Sequence, residues 1–235
     1  MEYGKMLGDS VEYAREAVWG KWTRWVLLIV STIIFPLILG YVMEIYRGTN
    51  PAPELEHWGK LFIDGLKLIA AWIIYMLPVI AILLVFGGWA FFSAMQQAAM
   101  SGDPNYFATN PELLMPLLGS FLVGLVIAVV LAIIISIIAY IGIIRMARKD
   151  RFGEAFNFSG IFETIGRIGW GSYILSLIVL AVVVMVFAII LALIMGIPYI
   201  GWLIYLILLP LLSIFQARYL AMVYDQGSKE VTTAV

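Results

Sequence analysis

Arg145, Arg148, Lys149, Arg151 and Arg167 stand in one polar connector, "RMARKDRFGEAFNFSGIFETIGRIGW" at 145–170, between two long apolar runs. Guanidinium and ammonium groups bind phosphates and carboxylates, and aromatic rings between them suit the level where lipid headgroups meet hydrocarbon. Phe158 and Phe162 supply such rings here. A second stretch, "LEHWGKLFIDGLKLI" at 55–69, offers Lys60 and Lys67 beside Trp58. These ten residues are the candidates for holding membrane lipids, anionic ones in particular, or a partner membrane protein. Their plainer use is as anchors that fix topology.

Other chemistry is poorly provided for. The chain has no cysteine and one histidine, His57, so thiolate catalysis, disulfides and Cys- or His-built metal centres find no ligands. No HExxH, GxSxG or phosphate-binding glycine loop occurs. Net charge is −1, which gives no field for nucleic acid. No enzyme activity, cofactor or metal is expected.

The elements that position the candidates are oily helices. Of 235 residues, 63% are hydrophobic and 12% charged, against about half and a quarter in soluble domains. Four windows carry no charge: 25–43, 68–102, 113–144 and 168–217. About 20 apolar residues cross a bilayer core. "GIPYIG" at 196–201 divides the last window by a turn. Five spans are expected, near 25–46, 68–94, 113–145, 169–195 and 199–222. They follow a 1–24 amphipathic segment and precede a short polar tail at 226–235. The fold class is an all-α integral membrane protein, with residues 25–225 as one transmembrane domain.

Basic residues crowd the 47–67 and 145–167 connectors and the C-terminal end, while 96–112 and 196–201 have none. By the positive-inside rule the basic face and the C-terminus are cytoplasmic in a multi-pass cell-membrane protein. Five crossings then put the N-terminus outside, although it carries Lys5, Arg15, Lys21 and Arg24. Either that helix sits outside, or the first run bends at Pro36 and re-enters. An internal repeat favours a single crossing. At an offset of 100, Trp58, Phe62 and Lys67 fall on Phe158, Phe162 and Arg167, and Leu61 and Leu68 on Ile161 and Ile168. The units are near 25–95 and 113–195, with a closing helix at 199–222.

Both connectors read as interfacial amphipathic helices. Trp58, Leu61, Phe62, Gly65, Leu68 and Ile69 form one apolar stripe, and Phe158, Ile161, Phe162, Ile165 and Ile168 the other. Lys60, Asp64 and Lys67 face away. Inside the spans, Ser31, Thr32, Ser120, Ser136, Ser172, Ser176, Ser213 and Gln216 are read as helix-packing residues. Pro36, Pro78 and Pro210 are read as kinks.

"WGKLFIDGLKLIAAWIIYMLP", "RFGEAFNFSGIF" and "YIGWLIYLILLPLLSIFQARYLAMVY" resemble the archaeal multi-pass membrane family catalogued as domain of unknown function 4013. The resemblance covers about 25–225. It implies a related architecture and no particular activity. The function expected is that of a structural or accessory protein acting through its basic cytoplasmic face. The alternative is a passive channel or transporter formed by a homo-oligomer.

Overall fold

The computed structural model describes residues 2–103 and 105–229. Ten α-helices are found there: α1 (Tyr3–Val18), α2 (Trp22–Ile33), α3 (Phe35–Tyr46), α4 (Trp58–Leu83), α5 (Trp89–Ser101), α6 (Tyr106–Thr109), α7 (Leu114–Lys149), α8 (Phe158–Ile168), α9 (Trp170–Met195) and α10 (Gly201–Lys229). They belong to two compact units, Met1–Ala71 with Ile137–Val235, and Trp72–Ser136.

The first unit is built round α10, against which α1, α2, α3, α8 and α9 pack. Ile214, Ala217, Leu220, Ala221 and Val223 form its buried stripe. Buried tyrosines tie the packed elements by single phenol bonds. Tyr219 donates to the Ser176 carbonyl (3.1 Å) and Tyr173 to that of Ile137 (2.5 Å). Tyr13 donates to the Thr49 carbonyl at 2.7 Å and Tyr41 to that of Pro53 at 3.0 Å. A phenol OH needs such a partner when it leaves water. α1 is amphipathic, burying Met6, Ser10, Tyr13, Ala14, Ala17 and Val18.

The helix expected over 25–46 is two helices of 12 residues each. Pro36 has no N–H to give and its ring obstructs the carbonyl four residues back, so the helix stops. Ile34 takes a non-helical conformation (φ −91°, ψ 77°) and Pro36 lies in the first turn of α3. The chain then folds back. Buried Arg24, near the start of α2, donates to Glu54 (Nε to Oε2, 2.9 Å) and to the Ala52 carbonyl (3.4 Å), in the loop that follows α3. Each arm is about 18 Å long, short of a bilayer core. At the elbow Ile33, Ile34 and Phe35 are exposed.

α3 and α4 meet without side chains between them. A Cβ at Gly40 would land on the Leu61 backbone, and one at Gly65 on that of Pro36. The interfacial helix expected within 55–69 is not separate; from Trp58 it forms the opening turns of α4. Its counterpart is a helix of its own, α8, because Gly169 adopts φ +87° and breaks the chain before α9. The polar tail expected from 226 is helical through Lys229, and residues 230–235 lie outside the described residues.

The second unit contains the rest of α4, a π-helical turn at Leu84–Gly88, α5, α6 and the first part of α7. In the wide turn the Phe86 carbonyl accepts from Ser120 (2.8 Å), and Gly124 leaves room for the Phe86 ring. Trp89, Phe91, Phe92, Val126 and Val130 are exposed. Residues 72–136 hold no Lys or Arg, and Asp103 and Glu112 are their only acids.

Four helical runs are long and apolar enough to cross a membrane: Trp58–Ser101, Leu118–Lys149, Trp170–Met195 and Gly201–Gly227. Ile73, Leu77, Ile178, Val182 and Ile189 along them are exposed, which in water would be costly and in hydrocarbon is not. The fold is that of an all-α membrane protein, as the composition required.

Candidate functional site on the basic face

The basic residues of the two connectors lie in the first unit, and most are committed to carboxylates. Arg47, at the end of α3, is the hub. Its Nη2 lies 2.7 Å from Asp64 Oδ2 and 3.0 Å from Asp150 Oδ1, so it ties α3 to α4 and to the turn after α7. Its Nη1 is 2.9 Å from Glu44 Oε1, an ion pair without hydrogen-bond alignment. Burial pulls the Arg47 guanidinium down, but the Asp64, Glu44 and Asp150 carboxylates more than offset this and hold it above its ordinary value. Lys60 binds Glu44 (2.8 Å) and Lys67 binds Asp64 (2.9 Å). Asp64 is 2% exposed, turned inward rather than out as its helical position implied.

Arg145 and Lys149 converge on Glu154, at 2.9 Å and 3.3 Å. Arg145 also donates to the Gly160 carbonyl (3.3 Å) and Thr164 (3.4 Å), clamping the start of α8 to α7. Asn157 caps α8 by accepting from the Gly160 N–H (3.1 Å). Partial burial raises the Glu154 carboxyl, but bonds and charge from Lys149 and Arg145 outweigh this and hold it below its ordinary 4.5. Arg148 pairs with Asp225 on α10 and lies over the Tyr224 ring, 5.8 Å from its centre. Gly48, at φ +91°, makes space for that guanidinium. Arg167 pairs with Glu163 one turn away. Arg151 is exposed, and no carboxylate among the described residues binds it.

The aromatic candidates sit apart from this network. Trp58, Phe158 and Phe162 are 36%, 51% and 44% exposed, while Leu61, Ile161, Ile165 and Leu68 beside them are buried. Each expected apolar stripe thus divides, aliphatic residues inward and aromatic ones outward. Phe162 also stacks near Trp170, ring centres 6.1 Å apart. So the ten candidates resolve into paired cations, one unpaired cation and an outward aromatic fringe. Arg47, Glu44, Asp150 and Asp225 were not among them. Arg47 and Glu44 were signalled by a charge pair at the end of an apolar helix; nothing local marked Asp150 or Asp225.

Ser31, Thr32, Ser136 and Ser213 each donate to the carbonyl four residues back in their own helix, whereas Ser120 donates across to the Phe86 carbonyl.

Helices of this length and composition, with charge collected on one set of connectors, define a multi-pass membrane protein. The chain belongs to the family described as protein of unknown function (DUF4013), whose model matches residues 25–196. None of the curated proteins and none of the solved structures compared with it matches.

Proposed function

We propose that this is a structural or accessory protein of the cell membrane, without catalytic activity, that holds anionic lipid or a partner membrane protein at its basic face. The observation that carries the reading is the outward aromatic fringe of Trp58, Phe158 and Phe162, on the helices that also carry Lys60 and Arg167. Rings at headgroup level with bases beside them form an interfacial girdle. Arg151, Lys149, Lys60 and Arg167 are the exposed cations available to a phosphate or a partner's carboxylate. Arg47, Arg145 and Arg148 serve the fold instead.

In this reading the α2–α3 pair dips into the bilayer by its apolar elbow and returns. Four crossings remain, and both ends of the chain lie on the cytoplasmic side. All 14 Lys and Arg residues then share one side, which removes the conflict posed by the basic N-terminus.

Native mass spectrometry of the protein gently extracted from its membrane tests the proposal. A retained anionic lipid or a stable complex with another protein is expected. A homo-oligomer carrying neither, with selective and saturable solute flux in liposomes, would replace this reading by a channel or transporter.

A further inference from the structure

Within the first unit, α1, α2, α9 and α10 line a half-open pocket of about 390 Å³. Val11 and Val18 of α1, Trp25 of α2, Phe187 and Leu191 of α9 and Leu212 of α10 are among its walls. That volume is within the roughly 300–1,000 Å³ range of small-molecule sites. The Trp25 indole is fixed as a wall because its Nε1–H donates to the Ile207 carbonyl at 3.2 Å. The lining is hydrocarbon and indole save for one residue, Arg15.

Arg15 differs from the other arginines nearby. Arg24 is buried against Glu54, and Arg218 lies over the Tyr13 ring, 4.6 Å from its centre. Arg15 is exposed, and no carboxylate among the described residues is bonded to it. Two of the four walls, α9 and α10, are helices apolar enough to cross a membrane, whereas α1 is an amphipathic helix that is not. The site therefore has an oily chamber with one cation on its amphipathic wall. An uncharged ligand would leave Arg15 unused, and a polar ligand would be stranded in the chamber.

We propose that this pocket holds one hydrocarbon chain of an anionic membrane lipid, with Arg15 meeting the acidic headgroup. The site is separate from the connector cations and does not rest on their role.

The test uses the full chain in nanodiscs of zwitterionic phospholipid, doped with an anionic phospholipid carrying a diazirine near one chain end. Saturable adducts are expected within 11–25, 187–191 and 208–215, competed by unlabelled anionic lipid and not by zwitterionic lipid. Leu212→Trp, which fills the chamber, should remove them. Arg15→Gln should weaken the competition about fivefold, and Arg15→Lys restore most of it. Lys5→Gln, an exposed cation of the same helix that does not line the pocket, should change nothing. Adducts that fail to saturate and spread over exposed positions such as Ile178 and Val182 would overturn the proposal. So would equal competition by zwitterionic lipid. The competition arm needs only the wild-type chain, so a variant that misfolds does not blunt it.

Discussion

Arg148 Nη2 lies 2.6 Å from Asp225 Oδ1, joining the end of α7 to the last turns of α10 across 77 residues of sequence. The two side chains are 25% and 34% exposed, so the pair is only partly screened. Asp225→Asn should cost about 1 kcal/mol, because a charge-assisted bond is lost while Arg148 keeps its contact with Tyr224. Glu163→Gln breaks the exposed i,i+4 pair with Arg167 and should stay within about 0.5 kcal/mol of wild type. Unfolding in mixed micelles would rank the two; equal losses would mean that the α7–α10 tie does not contribute.

Asp64 is the deepest charge of the hub, 2% exposed between Arg47 and Lys67. Asp64→Ala leaves a partly buried guanidinium short of its nearest anion, and breaking a buried pair this way costs about 3 kcal/mol. Loss of monodisperse protein after extraction is the expected readout. An Asp64→Ala chain as stable as wild type would remove Arg47 from its structural role.

The α3–α4 crossing makes a steric prediction. Gly40→Ala and Gly65→Ala each push a methyl into backbone, which cannot yield as a side chain can. Each should cost about 1–3 kcal/mol. Gly59→Ala, one turn from the crossing with nothing within 4 Å, should be neutral or slightly stabilising. Thermal unfolding of the three variants separates close packing from general intolerance of α3 and α4.

Glu154 has a folded-state pKa below its ordinary 4.5, so the link it makes to Arg145 and Lys149 is fully present above that value. It weakens as pH falls through the depressed folded value. Protection of the amides in the 3₁₀ turn Phe152–Phe156, corrected for the intrinsic exchange rate at each pH, should therefore fall on acidification below about pH 4.5. In Glu154→Gln that fall should be absent and protection low throughout. A wild-type turn whose protection is flat down to pH 3 would contradict this.

Topology can be read with single cysteines, since the chain has none of its own. Ser159→Cys and Lys5→Cys should both label from the cytoplasmic side, and Ser101→Cys from the opposite one. Labelling of Lys5→Cys with Ser101→Cys instead would restore a fifth crossing at 25–46.

Much of this was legible locally. Uncharged windows marked the long helices, and "GIPYIG" marked the turn between α9 and α10. The offset of 100 survives in burial: Leu61 with Ile161, Asp64 with Thr164 and Leu68 with Ile168 are buried, while Trp58 with Phe158 and Phe62 with Phe162 are exposed. What failed has physical causes. In lipid, apolar side chains can face outward at little cost, so hydrophobic periodicity no longer distinguishes inside from outside. That is why aromatic and aliphatic residues share one stripe in the sequence pattern and divide between two faces in the fold. Ion-pair partners were illegible for another reason. Arg148 and Asp225 are brought together by helix packing, and no local spacing announces it. At Pro36 the sequence offers a break, but the internal repeat across it points to a single crossing, and only the packing of α2 on α3 decides between them.

The absence of Lys and Arg from 72–136 has a consequence for how the protein is made. Each cation drawn through a bilayer centre costs about 2.5–3.5 kcal/mol on insertion scales. The stretch from Trp72 to Ser136 carries no such toll, so it can leave the insertion machinery as one helical hairpin. In the topology proposed above, the bases at Lys67 and Arg145 on either side would stay behind and act as its stops.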